Sequence, residues 1–111
     1  YLNEAIQQFQ RAQRSPKHRI RSLYYLAMSF RSKKQFDMAL EQLKEADAEL
    51  TTMDNQKKDV CYQIGEIAEE TGDLDTAAQY YKKVYQSDIG YKDIADKIER
   101  LYEQRQSDGT G

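Results

Sequence analysis

Hydrophobic and small residues recur along the chain at spacings of three and four, which is the spacing of one helix face. One set pairs a small residue with a larger apolar residue four positions later: Ala5 with Phe9, Ala39 with Leu43, and Ala77 with Tyr81. A second set forms three clusters: Leu23, Leu26, Ala27 and Phe30; Cys61, Ile64, Gly65 and Ala68; Ala95, Ile98, Glu99 and Tyr102. Both sets return after 34 or 38 residues, so the pattern predicts repeated pairs of short amphipathic helices.

Start and stop signals divide this pattern into about six helices. Ser15 and Pro16 form a helix start, because serine caps free backbone N–H groups and proline fits the first helical position. Gly72 ends one helix and Asp73 caps the next. The predicted helices span about residues 1–14, 16–32, 36–53, 56–71, 74–87 and 91–105.

The repeat is irregular at one place. Both sets gain four residues between Ala39 and Ile64, and four residues are close to one helical turn. We therefore place an extra turn at the end of the 36–53 helix. The alternative is a longer loop around Asp54 and Asn55, either of which can cap the next helix.

These recurring residues resemble the tetratricopeptide repeat (TPR), whose pattern is W-x2-L-G-x2-Y, then A-x3-F, then P. The best match is Cys61-x2-Ile64-Gly65-x2-Ala68, the turn Thr71-Gly72-Asp73, and Ala77-x3-Tyr81. The preceding repeat is Leu23-x2-Leu26-Ala27-x2-Phe30 followed by Ala39-x3-Leu43. The resemblance covers about residues 1–105. It implies an all-α fold, a right-handed α-solenoid of antiparallel helix pairs.

The resemblance also predicts how the chain is divided. We expect one repeat domain at 1–106, with a half repeat at 1–15, repeats at 16–53 and 54–90, and a capping helix at 91–105. Residues 107–111 are expected to form a flexible tail.

Small residues are expected where the two helices of a repeat pack closely. Gly65 and Ala27 should face the partner helix of their own repeat, and Ala39 and Ala77 should face it from the other side. A larger side chain at any of these four positions would push the helices apart.

The beginning of the chain is expected to expose an apolar face. Tyr1 falls within a second helix whose first-helix partner is missing, so Leu2, Ile6 and Phe9 should lack a neighbour. We therefore expect a fragment of a longer solenoid, whose N-terminal face either meets a second molecule or stays frayed. Homo-association through this open face is one such contact.

Composition narrows the functional class. The net charge is −2 and the pI is about 5.4, whereas a nucleic-acid-binding repeat needs a basic stripe to neutralise phosphates. An RNA-binding helical repeat is therefore less favoured than a protein-interaction scaffold or a self-association module, and no nucleic-acid partner is expected. An enzyme is the least favoured class. No apolar run approaches the roughly 20 residues that span a bilayer, so no membrane insertion is expected. Localisation is left open, because the single cysteine, Cys61, cannot pair within the chain.

The sequence predicts no catalytic, cofactor or metal site. The single histidine, His18, has basic neighbours near a helix start and is expected to face solvent. Glu66, Glu69, Glu70 and Asp73 cluster at helical spacing, but metal sites of helical bundles use Glu-x-x-His pairs from several helices. A solvated acidic face is the expected outcome.

The resemblance implies that the first helix of each pair lines a concave groove. On the 16–32 helix the groove residues are Arg21, Tyr24, Tyr25, Met28 and Arg31, and on the 56–71 helix they are Asp59, Tyr62, Gln63, Glu66 and Glu69. The last helix presents Asp93, Asp96, Lys97 and Arg100.

We predict that this groove makes the protein an interaction scaffold for a protein or peptide segment. A basic stretch of the partner would lie over the acidic end, and tyrosines would contribute most of the contact area. In the alternative interpretation, the tyrosines fill gaps between repeats and the charges only face solvent. Self-association is the alternative function.

Overall fold

The computed structural model describes residues 2–12 and 18–109, which form six α-helices with short connections. The helices are α1 (Leu2–Ala12), α2 (Arg19–Ser32), α3 (Phe36–Glu49), α4 (Asn55–Glu70), α5 (Leu74–Ser87) and α6 (Ile94–Gly109). No strand occurs in these two ranges, so the predicted all-α fold class is confirmed.

The helices form two compact units. Residues 1–52 contain α1 to α3, and residues 53–111 contain α4 to α6. In the first unit α2 packs against both α1 and α3, and in the second α5 packs against both α4 and α6. Three residues join α2 to α3 and three join α4 to α5, so the helices of each pair run antiparallel.

The two units use the same turn, 38 residues apart. The backbone N–H of Gln35 donates to the carbonyl of Phe30 at 2.9 Å, and that of Asp73 donates to the carbonyl of Ala68 at 2.8 Å. Such a bond closes the end of a helix when the residue before the donor is left-handed. The sequence repeat therefore corresponds to a repeat of local structure.

The residues that form this turn differ between the units. Gly72 has a φ of 86°, whereas Lys34 reaches a φ of 60° with a side chain in place. Asp73 caps α5 by accepting from the backbone N–H of Thr76 at 3.2 Å, whereas Gln35 makes no side-chain cap for α3. The turn of the first unit is therefore the less favourable of the two.

Each unit buries most of the predicted small and apolar positions, but the prediction is wrong in α6, where Ala95, Glu99 and Tyr102 are exposed and Ile98 is half-buried. In the first unit the buried apolar residues are Ile6, Leu23, Leu26, Ala27, Phe30, Ala39, Leu43 and Ala46. The core cluster of the second is Cys61, Tyr62, Ala68, Ala77, Ala78, Tyr81, Val84, Ile94 and Leu101. A Cβ atom on Gly65 would lie 2.9 Å from Cζ of Tyr81 and closer to two other ring atoms. The prediction that Gly65 faces its partner helix is therefore confirmed.

The extra four residues form a connection and not a helical turn. The prediction of a helix to residue 53 is wrong, because α3 ends at Glu49 and Leu50 is extended (φ −86°, ψ 119°). The β-branched residues that follow favour a helix end. Met53 instead packs against the core of the second unit. Asp54 caps α4, its side chain accepting from the backbone N–H of Lys57 at 3.0 Å.

The last helix is shifted along the chain relative to its prediction. It begins at Ile94, because residues 91–93 form a turn in which Lys92 has a φ of 45°. It continues to Gly109, three residues into the segment assigned to the tail. The remainder of that tail lies outside the described residues.

The N-terminal region differs in part from its prediction. Ile6 is buried and so does not lack neighbours, whereas Leu2 is 40 % exposed. The predicted helix start at Ser15 and Pro16 lies outside the described residues, as does the side chain of Phe9.

Candidate functional site

In the first unit, the predicted groove residues lie on the face of α2 that is turned away from its buried residues. Arg21 and Tyr25 are exposed, with 43 % of Tyr25 accessible. Tyr24, Met28 and Arg31 are half-buried beside them. We refer to these five residues as the α2 face.

Two neighbouring tyrosines dominate the α2 face. The rings of Tyr24 and Tyr25 meet edge to face, with centroids 5.6 Å apart. The hydroxyl of Ser29 donates to the backbone carbonyl of Tyr25 at 3.0 Å. Paired rings offer a large contact area with little rotamer freedom to lose, which suits recognition of another protein.

In the second unit, the predicted groove residues of α4 contact α6 and the turn before it. They follow one another at spacings of three and four, and their partners follow in the same order. The pairs are Asp59 with Lys92, Tyr62 with Asp93, Glu66 with Lys97, and Glu69 with Arg100. We call these four pairs the α4–α6 ladder. The acidic residues that α4 contributes to the ladder are thus already paired with cations of the same chain.

The ladder fills most of the surface that Tyr62 would offer to a partner. Tyr62 is only 7 % exposed, and its hydroxyl donates to the carboxylate of Asp93 at 2.5 Å. Burial, then this hydrogen bond, and then the charge of Glu66 raise the pKa of Tyr62. The same bond lowers the pKa of Asp93. Gln63 is half-buried on the same helix.

Glu69, at the C-terminal end of the ladder, is hydrogen-bonded to a residue of the core. Glu69 accepts from the hydroxyl of the fully buried Tyr81 at 3.0 Å and forms an ion pair with Arg100 at 3.0 Å. Burial and the charge of Glu69 raise the pKa of Tyr81. Glu69 therefore joins α4, α5 and α6 through one carboxylate.

At the N-terminal end of the ladder, the ammonium group of Lys92 lies close to two tyrosine rings. The Nζ atom of Lys92 lies 2.9 Å from Asp59, 4.7 Å from the ring centroid of Tyr62 and 5.4 Å from that of Tyr91. Desolvation lowers the pKa of Lys92, but the hydrogen bond and charge of Asp59 outweigh it, so the pKa is raised. The ammonium group stays charged in this site.

Sequence reasoning placed Asp93, Lys97 and Arg100 on one stripe of the last helix without pairing them to α4, and it did not select Lys92. The available signal is a constant separation: Tyr62 to Asp93, Glu66 to Lys97 and Glu69 to Arg100 each span 31 residues.

Two further observations concern sites of other kinds. Within the described ranges, no group of three or more His, Cys, Asp or Glu residues is arranged to hold a metal ion. None of the helices that the structure describes is both long and apolar enough to cross a membrane.

Comparison with known families identifies the central segment. The family model described as tetratricopeptide repeat matches residues 58–88, which cover most of α4 and all of α5. Residues 58–88 therefore carry a tetratricopeptide repeat, which confirms the predicted resemblance in this part of the chain. Repeats of this family generally mediate protein–protein interactions and are typically scaffolds without catalytic chemistry. No curated protein matches the chain.

Proposed function

We propose that this domain is an interaction scaffold that binds a segment of another protein, with the α2 face as a principal contact surface. The observation that supports this most directly is the exposure of Tyr25 and Arg21 side by side, away from the core of their unit. A tyrosine and an arginine are the residue types that most often dominate binding energy in interfaces.

The charge of the α2 face supports a polar contact next to the aromatic one. Arg21 makes no hydrogen bond or ion pair with any other residue that the structure describes. A partner carboxylate or backbone carbonyl would therefore not compete with an existing contact of this guanidinium.

The second unit supports a role for basic residues of the partner. Asp59, Glu66 and Glu69 each hold a cation from α6 or from the turn before it. These internal contacts support the proposal that this surface of α4 can accept basic side chains of a partner. The carboxylates of α4 are already paired, so a basic stretch of a partner would have to displace the internal cations before it could bind them.

The test is a comparison of matched tyrosine and arginine variants. Proteins captured by the domain are purified, and their affinities are measured for the wild type and for an Arg21→Ala, Tyr25→Ala variant. We expect binding to weaken about tenfold or more, as for loss of interface anchors. The control is Arg105→Ala, Tyr102→Ala, which removes the same residue types from exposed positions on α6. Equal affinity of both variants for every captured protein would refute the proposal.

Self-association is a second candidate, favoured by the exposed apolar side chain of Leu2 on α1. Light scattering over a range of concentrations separates the two functions. A molecular mass that rises with concentration in the wild type, but not in Leu2→Ser, supports self-association. A constant monomer mass excludes it.

A further inference from the structure

Three groups surround the ammonium of Lys92, and together they have the composition of an alkylammonium-binding site. Asp59 supplies a carboxylate 2.9 Å away, and the faces of Tyr62 and Tyr91 lie 4.7 and 5.4 Å from the nitrogen. An anionic group combined with aromatic faces is the arrangement by which proteins select ammonium ligands. We call Asp59, Tyr62 and Tyr91 the cage.

The walls of the cage are held in place by contacts that do not involve Lys92. The rings of Tyr62 and Tyr91 meet at 68° with centroids 6.0 Å apart. The hydroxyl of Tyr91 is 3.4 Å from Asp59, and that of Tyr62 is bonded to Asp93. The cage is therefore expected to persist when its occupant leaves.

The occupant, in contrast, is held on a strained and accessible segment. Lys92 lies in the turn before α6, and its φ of 45° is in the left-handed region that a residue with a side chain rarely adopts. Its side chain is 46 % exposed, whereas that of Lys97, within α6, is 11 % exposed. The Lys92 side chain can turn outward to solvent while Tyr91 and Asp93 keep their contacts, whereas the Lys97 side chain is largely covered.

We propose that the cage is a binding site for a lysine side chain of a basic partner segment, and that Lys92 is an internal occupant which the partner's lysine replaces. This inference rests on the proposed scaffold function and specifies the chemistry of one of its contacts. In the free protein, Lys92 keeps the carboxylate of Asp59 paired. A partner segment must displace Lys92 in order to bind, so weakly basic segments bind poorly.

The experiment removes the occupant and measures the affinity for a blocked peptide of six lysines by fluorescence anisotropy at low salt. Lys92→Gly removes the occupant that is paired with Asp59 and suits the left-handed backbone. Lys97 and Lys58 remain at 5.5 Å from the Tyr62 ring and 6.0 Å from the Tyr91 ring, and their carboxylate partners are Glu66 and Asp88. We expect it to bind the peptide about fivefold more tightly than the wild type, the gain of one ion pair with aromatic contacts. Lys82→Ala is the matched control, because it removes one positive charge and one lysine–tyrosine contact, with Tyr102, from the same unit.

The gain must also depend on the cage. Adding Asp59→Asn to Lys92→Gly should return the affinity to that of the wild type, and the ring resonances of Tyr62 and Tyr91 should shift when the peptide binds to Lys92→Gly. If Lys92→Gly binds no more tightly than Lys82→Ala, or if Asp59→Asn leaves the gain intact, the inference is wrong. Neither result depends on Arg21 or Tyr25, so the cage and the α2 face can fail independently.

Discussion

Gly65 of α4 lies directly against the aromatic ring of Tyr81 of α5. A Cβ atom added to Gly65 would be 2.9 Å from Cζ of that ring and nearer to two other ring carbons. The ring cannot easily yield, because Tyr81 is fully buried and its hydroxyl is bonded to Glu69. This contact sets how closely the two helices of the second pair approach.

We expect Gly65→Ala to lower the free energy of unfolding by about 1–3 kcal/mol through overpacking, measured by urea denaturation. The control is Gly90→Ala, whose added Cβ would have Asp88 Oδ1 at 3.7 Å as its nearest contact. The loss at Gly65 should shrink in a Tyr81→Leu background, where the ring is absent. Equal losses in both backgrounds would show that the ring is not the cause.

Copying the turn of the second unit into the first should stabilise the protein. Lys34 adopts a φ of 60° where Gly72 stands in the second unit, and Gln35 makes no cap where Asp73 does. Lys34→Gly with Gln35→Asp should raise the free energy of unfolding by about 1–2 kcal/mol, seen as a higher midpoint of thermal unfolding.

The reverse change provides the comparison for this turn. Gly72→Lys should destabilise by about 1–2 kcal/mol, because the left-handed conformation is costly for a residue with a Cβ atom. If Lys34→Gly alone lowers the melting midpoint, the strain assigned to Lys34 is not real.

Removal of the Glu69 carboxylate should lower the free energy of unfolding, because this group bonds the core residue Tyr81. Glu69→Ala leaves the hydroxyl of the buried Tyr81 without its acceptor, and we expect a loss of about 1–3 kcal/mol of stability. Arg100→Ala removes only the ion pair, whose cation is half exposed, and should cost about 0–1 kcal/mol. In a Tyr81→Phe background, Glu69→Ala should cost less, and an unchanged cost would contradict the assignment.

Stability should fall in alkaline solution because two phenols are held protonated. Burial raises the pKa of Tyr62 and of Tyr81 above the usual value of 10. In the unfolded chain these groups lose their protons near pH 10, while the folded protein retains them. The unfolded state then binds fewer protons, so stability is complete below about pH 10 and decreases as the pH rises further.

Urea denaturation at several values between about pH 8 and pH 11.5 tests this expectation. The Tyr81→Phe and Tyr62→Phe variants should each show a shallower decline than the wild type. Tyr102→Phe alters an exposed ring and is the control. A decline that is equally steep in the wild type and in both variants would rule out these tyrosines as its source.

Much of the fold follows from local patterns. The small residues at Gly65 and Ala77, the turn at Gly72 and the cap at Asp73 are all visible in the sequence, because each acts within a few residues or at a fixed repeat spacing. The end of α3 was mispredicted, since helical spacing continues past Glu49 although the backbone does not.

The candidate site was predictable only in part. The exposure of Tyr25 follows from its position opposite the buried positions of α2. The pairing of Asp59 with Lys92 does not follow from sequence position, because it depends on where the turn before α6 directs the lysine side chain. The sequence indicated a solvated acidic surface on α4, whereas in the structure the carboxylates of Asp59, Glu66 and Glu69 form ion pairs with Lys92, Lys97 and Arg100.

The order of small, apolar and capping residues alone determined most helix positions and the pairing of helices within a repeat, since these residues act over one or two helical turns. The partners in the α4–α6 ladder are 31 to 33 residues apart, and only the packing of three helices brings them within hydrogen-bonding distance. A long charged side chain can pair with many alternative neighbours, so tertiary structure decided which charges are paired internally and which face solvent.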